Sequence, residues 1–217
     1  MANGTPQFDG MPANVLEVFG ALWQDVGNLD LNWKGFCQLY SKSPERIELL
    51  RRFGGLFFGQ VQQALFRDIL LRICHLTDPA TSSKGRYKNQ SLHRLLDEIG
   101  AHDLALIDTL GLKTKADQLT AACRDIRTLR NRAIAHRDWD ARIRPLPSTT
   151  KEQMGNAIAL IQEIMNTVEK HFVNRITWYA MERNPGDAEY LAERLEGLAR
   201  RIDDERRAKG LPLSPGT

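Results

Sequence analysis

The chain has 217 residues, of which 42% are hydrophobic and 26% are charged, and its formal net charge is +3. That composition is typical of a soluble globular domain and excludes wholesale disorder, while so small a net charge does not by itself indicate a nucleic-acid binder. No apolar run approaches the roughly 20 residues of a membrane span, and the N-terminal residues lack the basic start and apolar core of a secretory signal. The three cysteines (Cys37, Cys74 and Cys123) are far apart, which excludes a disulfide framework and CxxC-type zinc binding. We therefore expect a cytoplasmic protein that has no membrane association, no metal and no cofactor.

Apolar residues recur at helical spacing along nearly the whole chain, and no segment alternates like a convincing strand, so we predict an all-α fold. Residues 1–11 are rich in Gly and Pro and are predicted to form a flexible N-terminus. The helices predicted in the first half are, in chain order, 12–26, 33–40, one that starts at Ser43 and is broken or bent by Gly54-Gly55, and 56–76, closed by Thr77-Asp78-Pro79.

The second half begins with a polar, basic loop over 79–90. The helices predicted after it are Ser91–Ile99 with Gly100 as its C-terminal cap, one long helix over Thr114–Ala135, one that begins with a Thr149/Glu152 capping box, and an amphipathic helix over 187–209. The third of these has an apolar seam from Met154 to Ile176, and the last has a stripe formed by Leu191, Leu195, Leu198 and Ile202. We expect the last helix either to belong to the same domain or to contact a partner.

Positive charge is concentrated in one short segment. Residues 124–144 hold seven arginines and three aspartates, a local charge of +4, whereas the rest of the chain is about neutral. Such an island indicates an anionic partner that binds at one place. A solvated, arginine-rich helix face is the alternative.

Arg130 lies on the wrong side of its predicted helix. On a helical wheel, it falls within roughly 60° of five apolar residues (Leu119, Cys123, Ile126, Ala133 and Ile134), which should face the core. An unpaired guanidinium there would be costly, because it cannot lose its charge. Arg130 therefore pairs with a buried carboxylate, reaches solvent by its stem, or lines a polar cleft.

Arg72 repeats this feature on the helix predicted over 56–76, where Asp68 stands one turn earlier. The two side chains could pair with each other. Alternatively, Arg72 and Arg130 could share one anion site. His136, six residues after Arg130, is the side chain best suited to proton transfer at neutral pH, although it could also serve only to stabilise a helix C-terminus.

The segment Leu129–Asp138, with Arg130, Asn131 and His136, resembles the signature of the HEPN superfamily: an arginine, a polar residue next to it, and a histidine four to six residues later. Its Ala-His-x-Asp ending is similar to that of abortive-infection HEPN domains of the U type, and the segment around Arg72–Pro79 agrees with them. Five residues separate Arg130 from His136, where four is the commoner spacing. The similarity covers about residues 12–180.

The resemblance implies an antiparallel bundle of four to five main helices plus a C-terminal helix, and a homodimer in which two copies of the motif form a composite site. It also implies a metal-independent endoribonuclease of the toxin or phage-defence type. In that enzyme, His136 transfers a proton, Arg130 stabilises charge on the phosphate and Asn131 orients one of these groups. The RNA would be bound by Arg72, Arg127, Arg132 and Arg137. A nucleotidyltransferase-type antitoxin is the partner that the resemblance suggests.

Two other functions fit the same residues. Some HEPN domains keep the fold without cutting RNA, so a non-catalytic module that binds RNA, a nucleotide or a protein is the first alternative. A purely structural or antitoxin-like bundle is the second, and it predicts that an internal carboxylate pairs with Arg130. The direction of the Arg130 guanidinium therefore distinguishes these functions.

Overall fold

A computed structural model describes residues 8–135, 149–179 and 187–212, and within these ranges the chain is all-α apart from one small hairpin. The predicted fold class is confirmed. The helices are α1 Ala13–Tyr40, α2 Pro44–Leu76, α3 Leu92–His102, α4 Ala105–Thr109, α5 Leu112–Ala122, α6 Arg124–Leu129, α7 Lys151–Val173 and α8 Ala188–Ala208. A π-helical segment, Arg130–Ala135, follows α6, and strands β1 (Thr81–Ser82) and β2 (Tyr87–Lys88) pair antiparallel. None of the helices in this described part is long and apolar enough to cross a bilayer.

Helix α1 is a single element where the sequence predicted two. Leu22, Val26 and Leu29 are fully buried, so the apolar stripe continues through the predicted break. Gly27 costs roughly 1 kcal/mol of helix propensity, which burial of these three side chains more than offsets. Helix α2 bends as predicted, because Gly54 has φ 160° and ψ 60°, outside the helical region.

The chain forms two compact units, one made of residues up to Leu29 with Leu70–Tyr179 and the other of Asp30–Ile69 with Ala180–Thr217. We call them the motif unit and the α8 unit. The core of the motif unit includes large, fully buried side chains from six helices: Phe19, Ile73, Leu95, Leu112, Ile126 and Ile161. The α8 unit has a small apolar cluster around Leu39, Leu50 and Phe58.

Helix α8 buries a different face from the predicted one. Asp187 caps its N-terminus as expected and accepts a hydrogen bond from the backbone N–H of Tyr190. Of the predicted stripe, Leu195 packs against the apolar cluster of this unit, whereas Leu191 and Leu198 are 45% and 37% exposed. The buried positions are instead Glu189, Ala192, Ala199 and Asp203. The reason is electrostatic, because Glu189 and Asp203 form ion pairs with arginines of α2.

The capping box of α7 is one residue later than predicted. Thr150 and Gln153 exchange the two hydrogen bonds, in place of Thr149 and Glu152. The predicted seam is buried from Met154 to Val168, but α7 ends with Asn174 in the left-handed conformation, so Ile176 lies beyond the helix and is 45% exposed.

The termini of α3 were predicted in part. The helix was predicted to begin at Ser91, but it begins at Leu92, and Ser91 is its N-cap, which accepts from the N–H of Arg94. The helix continues past Gly100 to His102, because the N–H of Asp103 bonds the carbonyl of Ile99 and serves as the C-terminal cap. The basic loop before α3 contains the β1–β2 hairpin, whose turn places Ser83, Lys84 and Gly85 at positive φ.

Candidate functional site

The long helix predicted over Thr114–Ala135 is interrupted. Helix α5 ends at Ala122, and Cys123, with φ −87° and ψ 1°, leaves the helical region before α6 begins. Leu119, Cys123 and Ile126 remain buried, so the apolar face survives the interruption. The π-helical segment then starts at Arg130. The helical wheel used in the sequence analysis assumes one continuous α-helix, so it does not apply from this residue onwards.

Arg127, near the end of α6, connects α6 to the end of α2. Its Nη1 lies 2.8 Å from Oδ1 of Asp78, and its Nη2 donates to the carbonyl and the hydroxyl of Thr77, the latter at 2.7 Å. The Thr77 hydroxyl in turn donates to the carbonyl of Ile73 at 2.7 Å. Carbonyls at a helix C-terminus lack partners within the helix, so a guanidinium is well suited to this position.

Arg130 reaches the same carboxylate. Its Nη2 lies 3.3 Å from Oδ1 of Asp78, and its side chain is 24% exposed. The Nε of Arg130 is buried and has no hydrogen-bond acceptor among the described residues. One carboxylate oxygen therefore serves two guanidinium groups. Of the open alternatives for Arg130, pairing with a carboxylate is the one observed, but the pairing is shared and leaves a buried N–H unsatisfied.

We call Arg127, Asp78 and Arg130 the arginine cluster. Two buried thiols lie beside it and are poor nucleophiles. Burial raises the pKa of the Cys74 thiol, and the hydrogen bond and charge of Arg130 only partly oppose that shift. Burial also raises the pKa of Cys123 to about 11, against the charge of Arg127. Because the thiolate is the reactive form, neither cysteine is suited to covalent catalysis at neutral pH.

The remaining predicted site residues lie on α2, in the π-helical segment or outside the described residues. Asn131 is exposed and Arg132 half-buried, both in the π-helical segment, and Arg72 is half-buried in α2. Asp68 of α2 accepts a hydrogen bond from Asn32 at 2.7 Å. His136 and Arg137 lie outside the described residues. The roles assigned to all these residues stay predictions.

The sequence did not single out Asp78 as a site residue. It was noted only within Thr77-Asp78-Pro79, which closes α2. Its partners are 49 and 52 residues further along the chain, too far for any periodicity to connect them. The one available signal was the need of an inward arginine for a carboxylate, which does not say which carboxylate.

No group of three or more metal-binding side chains occurs in the part of the chain that the structure describes. Residues 13–191 match the HEPN-type AbiU2 family. The chain belongs to this family. No curated protein and no solved structure gives a significant match. The AbiU2 match extends from α1 into the first turn of α8, and so includes the whole arginine cluster.

Proposed function

We propose that this AbiU2-family protein is a metal-independent endoribonuclease of the toxin or phage-defence type. The observation that carries the proposal is the convergence of Arg127 and Arg130 on one oxygen of Asp78, at 2.8 Å and 3.3 Å. Two guanidinium groups that share one negative charge keep positive charge and N–H donors for an anionic ligand. The phosphodiester of RNA is such a ligand.

Arg130 would stabilise the negative charge that builds on the phosphate during cleavage. Its side chain is 24% exposed, which leaves outer N–H donors of its fork accessible to a phosphate oxygen. Removal of one such donor from an active site costs about 10²- to 10³-fold in rate. Asn131, Arg72, Arg132 and Arg137 would orient and bind the RNA around it.

His136 would transfer the proton. It removes the proton of a ribose 2′-OH while the 2′-oxygen attacks the adjacent phosphorus, or it protonates the 5′-oxygen as the bond from that oxygen to phosphorus breaks. The products are a 2′,3′-cyclic phosphate and a 5′-hydroxyl. Because the nucleophile is the 2′-OH, DNA is not cut.

We place the active site in a homodimer, because proton removal and proton donation both need a group like His136 and one chain carries one His136. Light scattering at micromolar concentration tests this. We expect the mass of a dimer, and a monomer that persists after RNA is added would contradict the composite site.

The nuclease itself is tested by cleavage of a mixed RNA in EDTA. Wild-type protein should cut, and His136→Ala should cut at least about 10²-fold more slowly while its melting temperature and RNA affinity stay near wild type. Arg130→Lys retains the charge but loses the planar fork of donors, and it should also fail to cut. His171→Ala, an exposed histidine on α7, is the matched control and should retain full activity. Equal activity of wild type and His136→Ala would contradict the proposal.

A bundle without catalytic activity is the second candidate, and one observation favours it. Arg130 does pair with an internal carboxylate, Asp78, which is what the purely structural or antitoxin-like bundle predicts. Both this bundle and a non-catalytic RNA-binding module predict a stable wild-type protein that leaves every RNA intact in the same assay, and RNA affinity distinguishes the two.

A further inference from the structure

A cavity of about 540 Å³ opens beside the arginine cluster in the motif unit. Its lining includes Arg127 from α6, Thr77 after α2, and His93 and Asp97 from α3. The volume lies within the range of small-ligand pockets. Arg127 of the cluster thus lines this cavity together with an imidazole and a carboxylate that the proposed reaction does not use.

The groups that line this cavity have unused hydrogen-bonding capacity. His93 and Asp97 are four residues apart on α3, so their side chains share one face of the helix. In the described ranges, neither has a hydrogen-bond or ion-pair partner. Arg127 bonds Thr77 and Asp78 through its Nη atoms, and its fork of five N–H groups leaves donors for a phosphate oxygen.

We propose that this cavity is a nucleotide subsite, in which Arg127 binds the phosphate and Asp97 selects the base. The inference deepens the proposed function, on which it rests, because the nucleotide would flank the phosphate that is cut. The base stacks on the His93 ring, as bases of single-stranded RNA stack on aromatic side chains. The carboxylate of Asp97 accepts hydrogen bonds from the edge of the base.

A carboxylate at this position discriminates between bases, because it can only accept hydrogen bonds. Guanine presents a ring N–H and an exocyclic amino group, and cytosine and adenine present an exocyclic amino group, all of which donate to it. Uracil presents two carbonyl oxygens on either side of its one N–H, and these repel the carboxylate. The subsite should therefore take guanine, cytosine or adenine and reject uracil.

The adjacent cavity gives the strand room to continue. It has about 520 Å³, shares His93 and Asp97 with the first cavity, and extends to Lys113 on α5. A single strand that occupies both cavities passes along α3, with Arg127 near one end and Lys113 near the other.

The test measures the affinity of full-length protein for 2′-O-methyl hexanucleotides of C, A and U, which cannot be cut because they lack the nucleophile. Wild type should bind the C and A oligomers about 10-fold more tightly than the U oligomer, since one well-placed hydrogen-bonded pair gives discrimination of this order. Asp97→Asn should reduce the ratio to within about 2-fold. His93→Ala should weaken all three oligomers evenly, because stacking tolerates every base.

Asp108→Asn is the matched control, since Asp108 is an exposed aspartate on α4 and makes the same change of charge. It should keep the wild-type ratio. Equal wild-type affinity for C and U oligomers, discrimination that survives Asp97→Asn, or no binding at all would overturn the subsite. CMP that binds as tightly as the C oligomer would also overturn it, because the ligand would then be a free nucleotide.

These outcomes are independent of cleavage. Wild-type protein could discriminate between bases, lose this discrimination in Asp97→Asn, and yet cut no RNA. That result would support the subsite and contradict the nuclease. Cleavage that depends on His136 without base discrimination would support the nuclease and remove the subsite.

Discussion

One cluster of arginines in each unit contacts carboxylates, and the two clusters differ in how charge is matched. In the α8 unit, Arg52 forms two hydrogen bonds with Asp203, at 3.0 Å and 2.7 Å, and its side chain is 9% exposed. Arg46, 5% exposed, bonds Glu189, Glu196 and the carbonyl of Gln38. In the motif unit, Arg127 and Arg130 share one oxygen of a single carboxylate and are 26% and 24% exposed.

The difference separates an arginine that holds a fold together from one that is available to a ligand. Where each guanidinium has its own carboxylate, the charges cancel and the donors are used. Where two arginines share one carboxylate, positive charge and a buried N–H of Arg130 remain. An anionic ligand of the kind proposed above would use this surplus of positive charge and donors.

The largest effect that this comparison predicts is on stability. Arg46→Ala leaves Glu189, which is 7% exposed, without its main partner, and we expect it to lower the free energy of unfolding by roughly 2–3 kcal/mol. Arg130→Ala should cost less than about 1 kcal/mol, because its ion pair with Asp78 is long and partly exposed. Urea unfolding measures both values.

Arg51→Ala is the control for Arg46, because the pair of Arg51 with Glu48 is exposed (67% and 47%). It should change stability by less than about 0.5 kcal/mol. If Arg130→Ala lowers the free energy of unfolding as much as Arg46→Ala does, the distinction between the two clusters is contradicted.

A smaller effect concerns the salt dependence of RNA binding. Asp78→Ala frees both guanidinium groups of the arginine cluster, so one more phosphate can be neutralised. The slope of log affinity against log salt concentration should steepen by roughly 0.7, the increment per phosphate for a single strand. Fluorescence anisotropy with a 2′-O-methyl RNA measures this slope, and Asp108→Ala provides the control. An unchanged slope would show that Asp78 does not compete with phosphate.

The smallest effect is a dependence of stability on pH that arises in the α8 unit. The hydrogen bond from Arg46, with help from Lys42, holds the pKa of Glu189 below its ordinary value of 4.5. The hydrogen bond from Arg52 likewise lowers the pKa of Asp203 from 3.8. A carboxylate with a lowered folded-state pKa stabilises the protein above its unfolded-state pKa, and this contribution is lost as pH falls through the folded-state value.

Urea unfolding between pH 7 and pH 3 should therefore show stability that falls below about pH 4.5. Glu189→Gln should make this fall shallower, because one of the carboxylates with a lowered pKa is gone. The same pH profile for wild type and Glu189→Gln would contradict the assignment.

The sequence predicted the helical class, the bend at Gly54 and the cap at Asp187, because these depend on neighbouring residues. It did not predict the buried face of α8. Apolar periodicity indicated Leu191 and Leu198, but the buried carboxylates follow Arg46 and Arg52, which are more than 140 residues away. The choice of an ionic partner across such a distance leaves no periodic signal.

For the candidate site too, the sequence indicated features that depend on neighbouring residues and missed those that depend on distant ones. The segment that contains Arg130 was apparent because a charge interrupted an apolar stripe, and a carboxylate partner was one of the three outcomes left open for this arginine. Asp78 itself could not be found, since only the folded chain brings the end of α2 to α6. The break at Cys123 was missed because no Gly or Pro marks it, and its backbone is set by the core that buries it.

The π-helical segment Arg130–Ala135 bears on how residues are counted along the family motif. An α-helix closes its hydrogen bonds over four residues and a π-helix over five, so a π turn contains one more residue. One additional residue between the arginine and the histidine can therefore be accommodated by the turn, without rotating the next residues around the helix axis. The spacing of this chain is one residue longer than the commoner one, and the backbone provides a turn of the matching size. The number of residues between two side chains and their relative direction around the helix axis are separate quantities. A π turn increases the first by one residue and leaves the second nearly unchanged.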